Sequence, residues 1–125
     1  MSIRKRILSV DDMSTVRKII KGTVEELGFL IYEAGDGREA LSVLERYHEN
    51  IALILLDWNM PGMNGLEFLK TVKSHPLYKS IPVIMLTTQG QKENIIKAVQ
   101  AGVSNYLLKP FKNEELTKKI KEVLG

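Results

Sequence analysis

At 125 residues the chain is long enough for one domain with a single sizeable core. Its 26% charged and 44% hydrophobic residues are the balance of an ordinary soluble globular protein, and the absence of cysteine excludes disulfides, thiolate metal sites and cysteine nucleophiles while fitting a cytoplasmic, reducing setting. The net charge of +3 comes with no nucleic-acid motif, aromatic platform or basic arm, and no stretch reads as a signal peptide or a membrane span, so neither nucleic acid nor membrane is expected as a partner.

The chain alternates strand and helix five times. An apolar run, Arg6 to Val10, is followed by Asp11 and Asp12. A helix begins near Ser14, a good N-cap, and places Val16, Ile19, Ile20, Thr23, Val24 and Leu27 on one face until Gly28 stops it. A short strand, Leu30 to Ala34, leads to a second helix with Ala40, Leu41, Leu44 and Tyr47 at helical spacing. The run Ile51 to Leu56 ends on Asp57. The loop after it carries Gly62 and Gly65 around Asn64, which turn chemistry explains. A third helix, about Gly65 to Ser74, turns Leu66, Leu69 and Val72 inward and ends at His75-Pro76. The run Ile81 to Leu86 is followed by Thr87 and Thr88. A fourth helix spans roughly Lys92 to Ala101 and stops at Gly102. Tyr106 to Leu108 is followed by Lys109-Pro110. The fifth helix starts at Asn113, with Glu114 and Glu115 in its first turn and lysines later, an order that complements the helix dipole. Its buried stripe is Leu116, Ile120, Val123 and Leu124.

Apolar runs of this length between helical patterns read as buried parallel strands with helices on both faces. Ligands of such sheets bind beyond the carboxyl ends of the strands. Asp11-Asp12, Asp57, Thr87-Thr88 and Lys109 follow four different runs, so they meet at one edge. Three carboxylates and one ammonium leave a net charge of about −2, unfavourable at short range in a partly dry pocket. Hard oxygen ligands with room for water suit Mg²⁺. Asp57 can then attack phosphorus as a carboxylate nucleophile, with Lys109 and the Thr87 hydroxyl holding the other oxygens. An Asp-Asp pair alone, or Asp57 alone, fits an acid-rich surface turn as well. What sets this chain apart is four strand ends carrying compatible groups.

The pieces Val10-Asp-Asp12, Asp57-Trp-Asn-Met-Pro61, Met63-Asn-Gly65, Leu86-Thr-Thr88, Ala101-Gly102 and Lys109-Pro-Phe111 together resemble the receiver domains of two-component response regulators. The resemblance spans essentially the whole chain. Asp57-Trp-Asn-Met-Pro61, Lys92-Glu-Asn-Ile-Ile96 and Tyr106 narrow it to the single-domain chemotaxis regulators of the CheY type. It implies a flavodoxin-like (βα)5 fold, a doubly wound parallel five-stranded sheet of order 2-1-3-4-5. It implies that residues 1–125 are one receiver domain without an output domain, acting as a monomer. Asp57 is the implied phosphoacceptor. Asp12, Asp57 and the backbone carbonyl of Asn59 are the implied Mg²⁺ ligands, and Asp11 holds a metal-bound water. Thr87 and Lys109 contact the phosphoryl group, Thr88 and Asn59 border it, and the Lys109-Pro110 bond is expected to be cis. Tyr106 is expected to turn inward as Thr87 moves.

The partners the resemblance implies are a sensor histidine kinase, a flagellar motor switch protein and a dedicated phosphatase. The target would bind the face formed by the fourth helix, fifth strand and fifth helix, with Lys92, Ile95, Val99, Tyr106 and Lys119. Ile95 and Ile96 are adjacent and cannot both point into the core, so one is expected on that face. Lys109, Lys112, Lys118, Lys119 and Lys121 make either a basic docking face or a solvated helix. An uncharged Gln89 and a bulky Thr88 are expected to alter self-dephosphorylation. A phosphorelay carrier and a receiver cut from a transcription factor remain open alternatives. An aspartyl-phosphate phosphatase of the haloacid dehalogenase type would need a second Asp two residues after the nucleophile, where this chain has Asn59. Trp58 is expected beside the metal pocket, Met85 in the core, and Met60 and Met63 in loop packing. His48 and His75 are read as surface residues.

Overall fold

The computed structural model describes residues 6–11, 14–60, 62–88 and 90–125, excepting the side chains of Ser14 and Thr15. The elements follow the alternation of the sequence: β1 (Arg6–Val10), α1 (Ser14–Glu26), β2 (Leu30–Ala34), α2 (Gly37–Tyr47), a 3-10 turn (His48–Asn50), β3 (Ile51–Asp57), α3 (Gly65–Ser74), β4 (Val83–Thr87), α4 (Lys92–Gln100), β5 (Asn105–Leu108) and α5 (Asn113–Leu124). The strands form one parallel sheet in the order β2-β1-β3-β4-β5, the flavodoxin-like arrangement.

Successive strand residues point to opposite faces, and the central strands are apolar on both. Leu8, Val10, Ile54, Leu56, Val83 and Met85 pack on one side with Ala40 and Leu44 of α2 and Phe68, Leu69 and Val72 of α3. Ile7, Leu53, Leu55, Ile84, Leu86 and Leu107 pack on the other with Ile20 and Val24 of α1 and Leu116 and Ile120 of α5. Two of the helices are anchored by capping side chains at their starts. Asp36 accepts from the Glu39 N–H at 2.8 Å to start α2, and Asn64 does the same for Glu67 at 2.9 Å to start α3.

Several details differ from the sequence reading. Ile19 is 46% exposed rather than part of the buried face of α1. The buried face of α3 is Gly65, Phe68, Leu69 and Val72, an i, i+3, i+4, i+7 stripe, with Leu66 only partly covered on its flank. β4 begins at Val83 because Pro82, lacking an N–H, precedes it; its carbonyl still accepts from the Ile54 N–H at 3.0 Å. His48 and His75 are not free surface residues. Both flank the buried Tyr78, with ring centroids 5.5 and 3.9 Å away, and the His48 Nδ1 bonds the Leu44 carbonyl.

Candidate functional site

Strand register builds the site. Ser9 lies opposite Leu55 and Val10 opposite Leu56, so Asp11 and Asp57 follow side by side as β1 and β3 end. Asp57 pairs with Leu86, and Thr87 pairs with Leu108, which puts Thr87 and Lys109 at the same edge. The backbone N–H of Lys109 donates to the Thr87 carbonyl at 2.8 Å, and the Lys109-Pro110 peptide is cis. The Asp11 N–H donates to the Ala34 carbonyl at 3.0 Å, tying the start of the β1–α1 loop to β2.

The lysine side chain closes the site. Its Nζ donates to Asp11 Oδ2 at 2.8 Å and lies 3.4 Å from Asp57 Oδ1. Asp11, Asp57 and Thr87 are buried, and Lys109 is nearly so. Asp57 also accepts from the Asn59 backbone N–H at 3.3 Å. Burial is the largest influence on Asp57 and pushes its carboxyl above the usual range. The Lys109 charge and the Asn59 N–H pull it down, and the Asp11 charge adds to the rise. Burial wins: one ammonium shared between two carboxylates does not compensate for lost hydration.

The loop after β3 is held against the site by a close approach. Gly65 N–H donates to the Trp58 carbonyl at 2.7 Å, and a Cβ at Gly65 would collide with the Asp57 carbonyl oxygen and the Trp58 Cα. Turn chemistry therefore accounts for Gly62, at φ 76°, but Gly65 is required by contact. Trp58 is partly buried and packs on the core directly after Asp57, Met60 is buried in the same core, and Met63 packs at its margin against Gly37.

Of the residues read from sequence, Asp11, Asp57, Thr87 and Lys109 come together. Asn59 and Thr88 are exposed at the rim. Asp12, Met13, Pro61 and Gln89 lie outside the described residues. Among the described residues no group of three acidic or histidine side chains meets; the pair is Asp11 and Asp57. That donor set still fits a hard cation. Among the described residues the oxygens are carboxylates without sulfur or imidazole beside them, and one ammonium is shared between the two. Ser9 escaped notice in the sequence. It is fully buried on the same face of β1 as Asp11, and its hydroxyl has no hydrogen-bond partner. The one signal was a hydroxyl inside the apolar run Ile7-Leu8-Ser9-Val10.

The second group of predicted residues lies on α4, β5 and α5. Lys92 is exposed, Ile95 partly buried, Ile96 44% exposed and Val99 60% exposed. Ile96 is thus the member of the isoleucine pair that faces out. Tyr106 is partly buried against the core, where burial raises its phenol pKa, and Lys119 is partly covered. No helix among the described residues is long and apolar enough to cross a membrane.

Residues 7–121 match the family model of the response regulator receiver domain. The chain belongs to that family. It is 46% identical to a chemotaxis protein CheY homolog of Campylobacter jejuni over 121 residues, covering 96% of this chain and 92% of that one. It is also 46% identical to chemotaxis protein CheY1 of Helicobacter pylori, over 96% and 97% of the two chains. The solved structure of CheY4 from Vibrio cholerae superposes with a TM-score of 0.88 at 36% identity, covering 95% of this chain and 98% of that one. The chain is therefore a receiver of the CheY-like type, a signalling module rather than a turnover enzyme.

Proposed function

We propose that this receiver is a phosphorylation-dependent switch in chemotaxis. A sensor histidine kinase supplies the phosphoryl group, Asp57 accepts it, and the altered protein binds a flagellar motor switch protein. The observation that carries the reading is Lys109, a single ammonium in reach of two buried carboxylates at the end of the central strands.

In the proposed reaction an Asp57 carboxylate oxygen attacks the phosphorus of a phosphohistidine. The new O–P bond forms as the N–P bond breaks, and the imidazole leaves with the electron pair. Mg²⁺ held by Asp11, Asp12, Asp57 and the Asn59 carbonyl would neutralise the carboxylates and the incoming phosphoryl oxygens. Lys109 moves from Asp11 toward the phosphoryl group, the Thr87 hydroxyl holds another oxygen, and Thr88 borders the site. Thr87 and Tyr106 relay occupancy to the face containing Lys92, Ile95, Val99 and Lys119. The exposed Ile96 and Val99 there supply apolar surface for a target. The phosphoryl group acts by favouring one of two states. A dedicated phosphatase would reset it.

The test is binding to the N-terminal peptide of a flagellar motor switch protein, with and without Mg²⁺ and beryllofluoride. Trp58 fluorescence reports pocket occupancy, and Asp57→Asn serves as control. Tighter peptide binding with the mimic is expected. An occupied pocket without peptide binding would replace the motor target with a phosphorelay partner. No Trp58 response in the native chain would remove the phosphoacceptor reading.

A further inference from the structure

Two peptide groups follow Asp57, and Gly65 meets both. Its N–H donates to the Trp58 carbonyl at 2.7 Å. A Cβ placed on it would collide with the Asp57 carbonyl oxygen and stand 2.7 Å from the Trp58 Cα. Gly65 shows no positive φ, so its lack of a side chain answers to this approach rather than to backbone conformation.

The Trp58–Asn59 peptide is thereby held at both ends. Its carbonyl accepts from the Gly65 N–H, and its own N–H donates to Asp57 Oδ1 at 3.3 Å. A trans peptide is planar, and its C=O and N–H point in opposite directions. One rigid plate therefore lies between the first residue of α3 and the Asp57 carboxylate, and a displaced Gly65 turns the N–H away from Oδ1. The other contact of the carboxylate, Lys109 Nζ at 3.4 Å, also falls on Oδ1, but that ammonium sits on a long stem and is shared with Asp11. The peptide N–H is the donor with a fixed direction. Gly65 is in turn fixed by its helix. The Asn64 side chain accepts from the Glu67 N–H at 2.9 Å, the Asn64 carbonyl accepts from the Phe68 N–H at 3.0 Å, and Phe68, Leu69 and Val72 pack α3 into the core.

We propose that Gly65 is a positioning residue for Asp57: it fixes the plane of the Trp58–Asn59 peptide, whose N–H sets the orientation in which the carboxylate meets phosphorus. The inference rests on the reading of Asp57 as phosphoacceptor. Phosphoryl transfer is governed by positioning, so a carboxylate turned out of line attacks slowly although its charge and its lysine are unchanged. Gly65→Ala pushes α3 and the two peptides apart. Asn64→Ala leaves the close approach possible but loosens the start of α3. Ile51→Val, at the far end of β3, weakens the core without touching either.

The experiment measures the maximal rate of phosphorylation by a small-molecule phosphodonor at saturating donor and Mg²⁺, read by Trp58 fluorescence, for the native chain and these three variants. Hydrogen exchange of the Asn59 amide is followed by NMR in the metal-free proteins, and urea unfolding gives the stability of each. Gly65→Ala is expected to slow phosphorylation about tenfold or more and to speed Asn59 exchange, Asn64→Ala to slow phosphorylation about threefold, and Ile51→Val to stay within about twofold of native. A folded Gly65→Ala protein with a rate within about twofold of native, or one slowed with Asn59 exchange unchanged, would overturn the proposal while leaving Asp57 as phosphoacceptor. If Gly65→Ala does not fold, the other two variants decide: Asn64→Ala slower than Ile51→Val supports the proposal, and equal rates overturn it. A native chain that takes up neither phosphate nor beryllofluoride would overturn the phosphoacceptor reading, and this inference with it.

Discussion

Asp57→Asn is expected to stabilise the metal-free protein at neutral pH. The substitution keeps the shape of the side chain and removes its charge. At an effective dielectric of 20, an ammonium 3.4 Å from a carboxylate is worth about 5 kcal/mol of attraction, which the variant gives up. Against this stands the desolvation of a carboxylate only 5% exposed, also several kcal/mol, and the repulsion from Asp11. Because burial is the largest influence and Asp57 titrates above its usual range, the balance favours the neutral side chain, and Asp57→Asn is expected to unfold at higher urea and higher temperature than the native chain at pH 7. The pH dependence carries the sign. A raised pKa means the folded state holds a proton that the unfolded state has already lost. Native stability therefore falls as pH rises from the ordinary carboxylate pKa through the raised one. The advantage of Asp57→Asn is full above that window and gone below about pH 4. The assay is urea unfolding of both proteins in EDTA from pH 3.5 to 8. A variant less stable than native at pH 7, or a gain that does not change with pH, would refute the account of the pocket.

Lys109→Met removes the one cation described beside two buried carboxylates. It is expected to lower stability by about 3–5 kcal/mol at neutral pH in EDTA, with much of the loss recovered at low pH where the acids are protonated; a calorimetric scan showing less than 1 °C of change would contradict it. Ser9→Ala removes a fully buried hydroxyl without a partner and leaves the rest of the side chain in place. A gain of about 1 kcal/mol in urea unfolding is expected, and a loss of that size would show that the hydroxyl is satisfied in solution.

The elements were legible because each announces itself locally. β3 and β4 are unbroken apolar runs, α2 and α3 start at the capping side chains of Asp36 and Asn64, and α1 and α4 stop short of glycines at positive φ, Gly28 and Gly102. The meeting of Asp11, Asp57, Thr87 and Lys109 was legible because a parallel sheet aligns all strand ends. What stayed hidden depends on contacts between distant segments. Phe68 belongs to the buried stripe of α3 only because the helix is rotated one residue from the most hydrophobic reading of Leu66, Leu69 and Val72. Gly65 looks like a turn glycine until the Asp57 carbonyl is seen against it. The Lys73 ammonium bonds the carbonyls of Lys79 and Ile81, at 3.2 and 2.7 Å, a brace that no local pattern of charge announces.

The distances around Lys109 also suggest why a phosphoryl group could act as a switch here. In the resting protein the ammonium sits closer to Asp11, at 2.8 Å, than to Asp57, at 3.4 Å, so the less compensated carboxylate is the proposed nucleophile. A phosphoryl group on Asp57 would add negative charge on the far side of that balance and draw Lys109 across. The lysine cannot move alone. Its N–H is bonded to the Thr87 carbonyl, and the residue before it lies on Gly90. A shift of charge at one carboxylate thus pulls on the end of β4 and on β5 together, and β5 carries Tyr106 into the face with the exposed Ile96 and Val99. A pocket satisfied in its resting state would give the phosphoryl group little to change. On the proposed reading, the imbalance at Asp57 is what would let its modification select a second state.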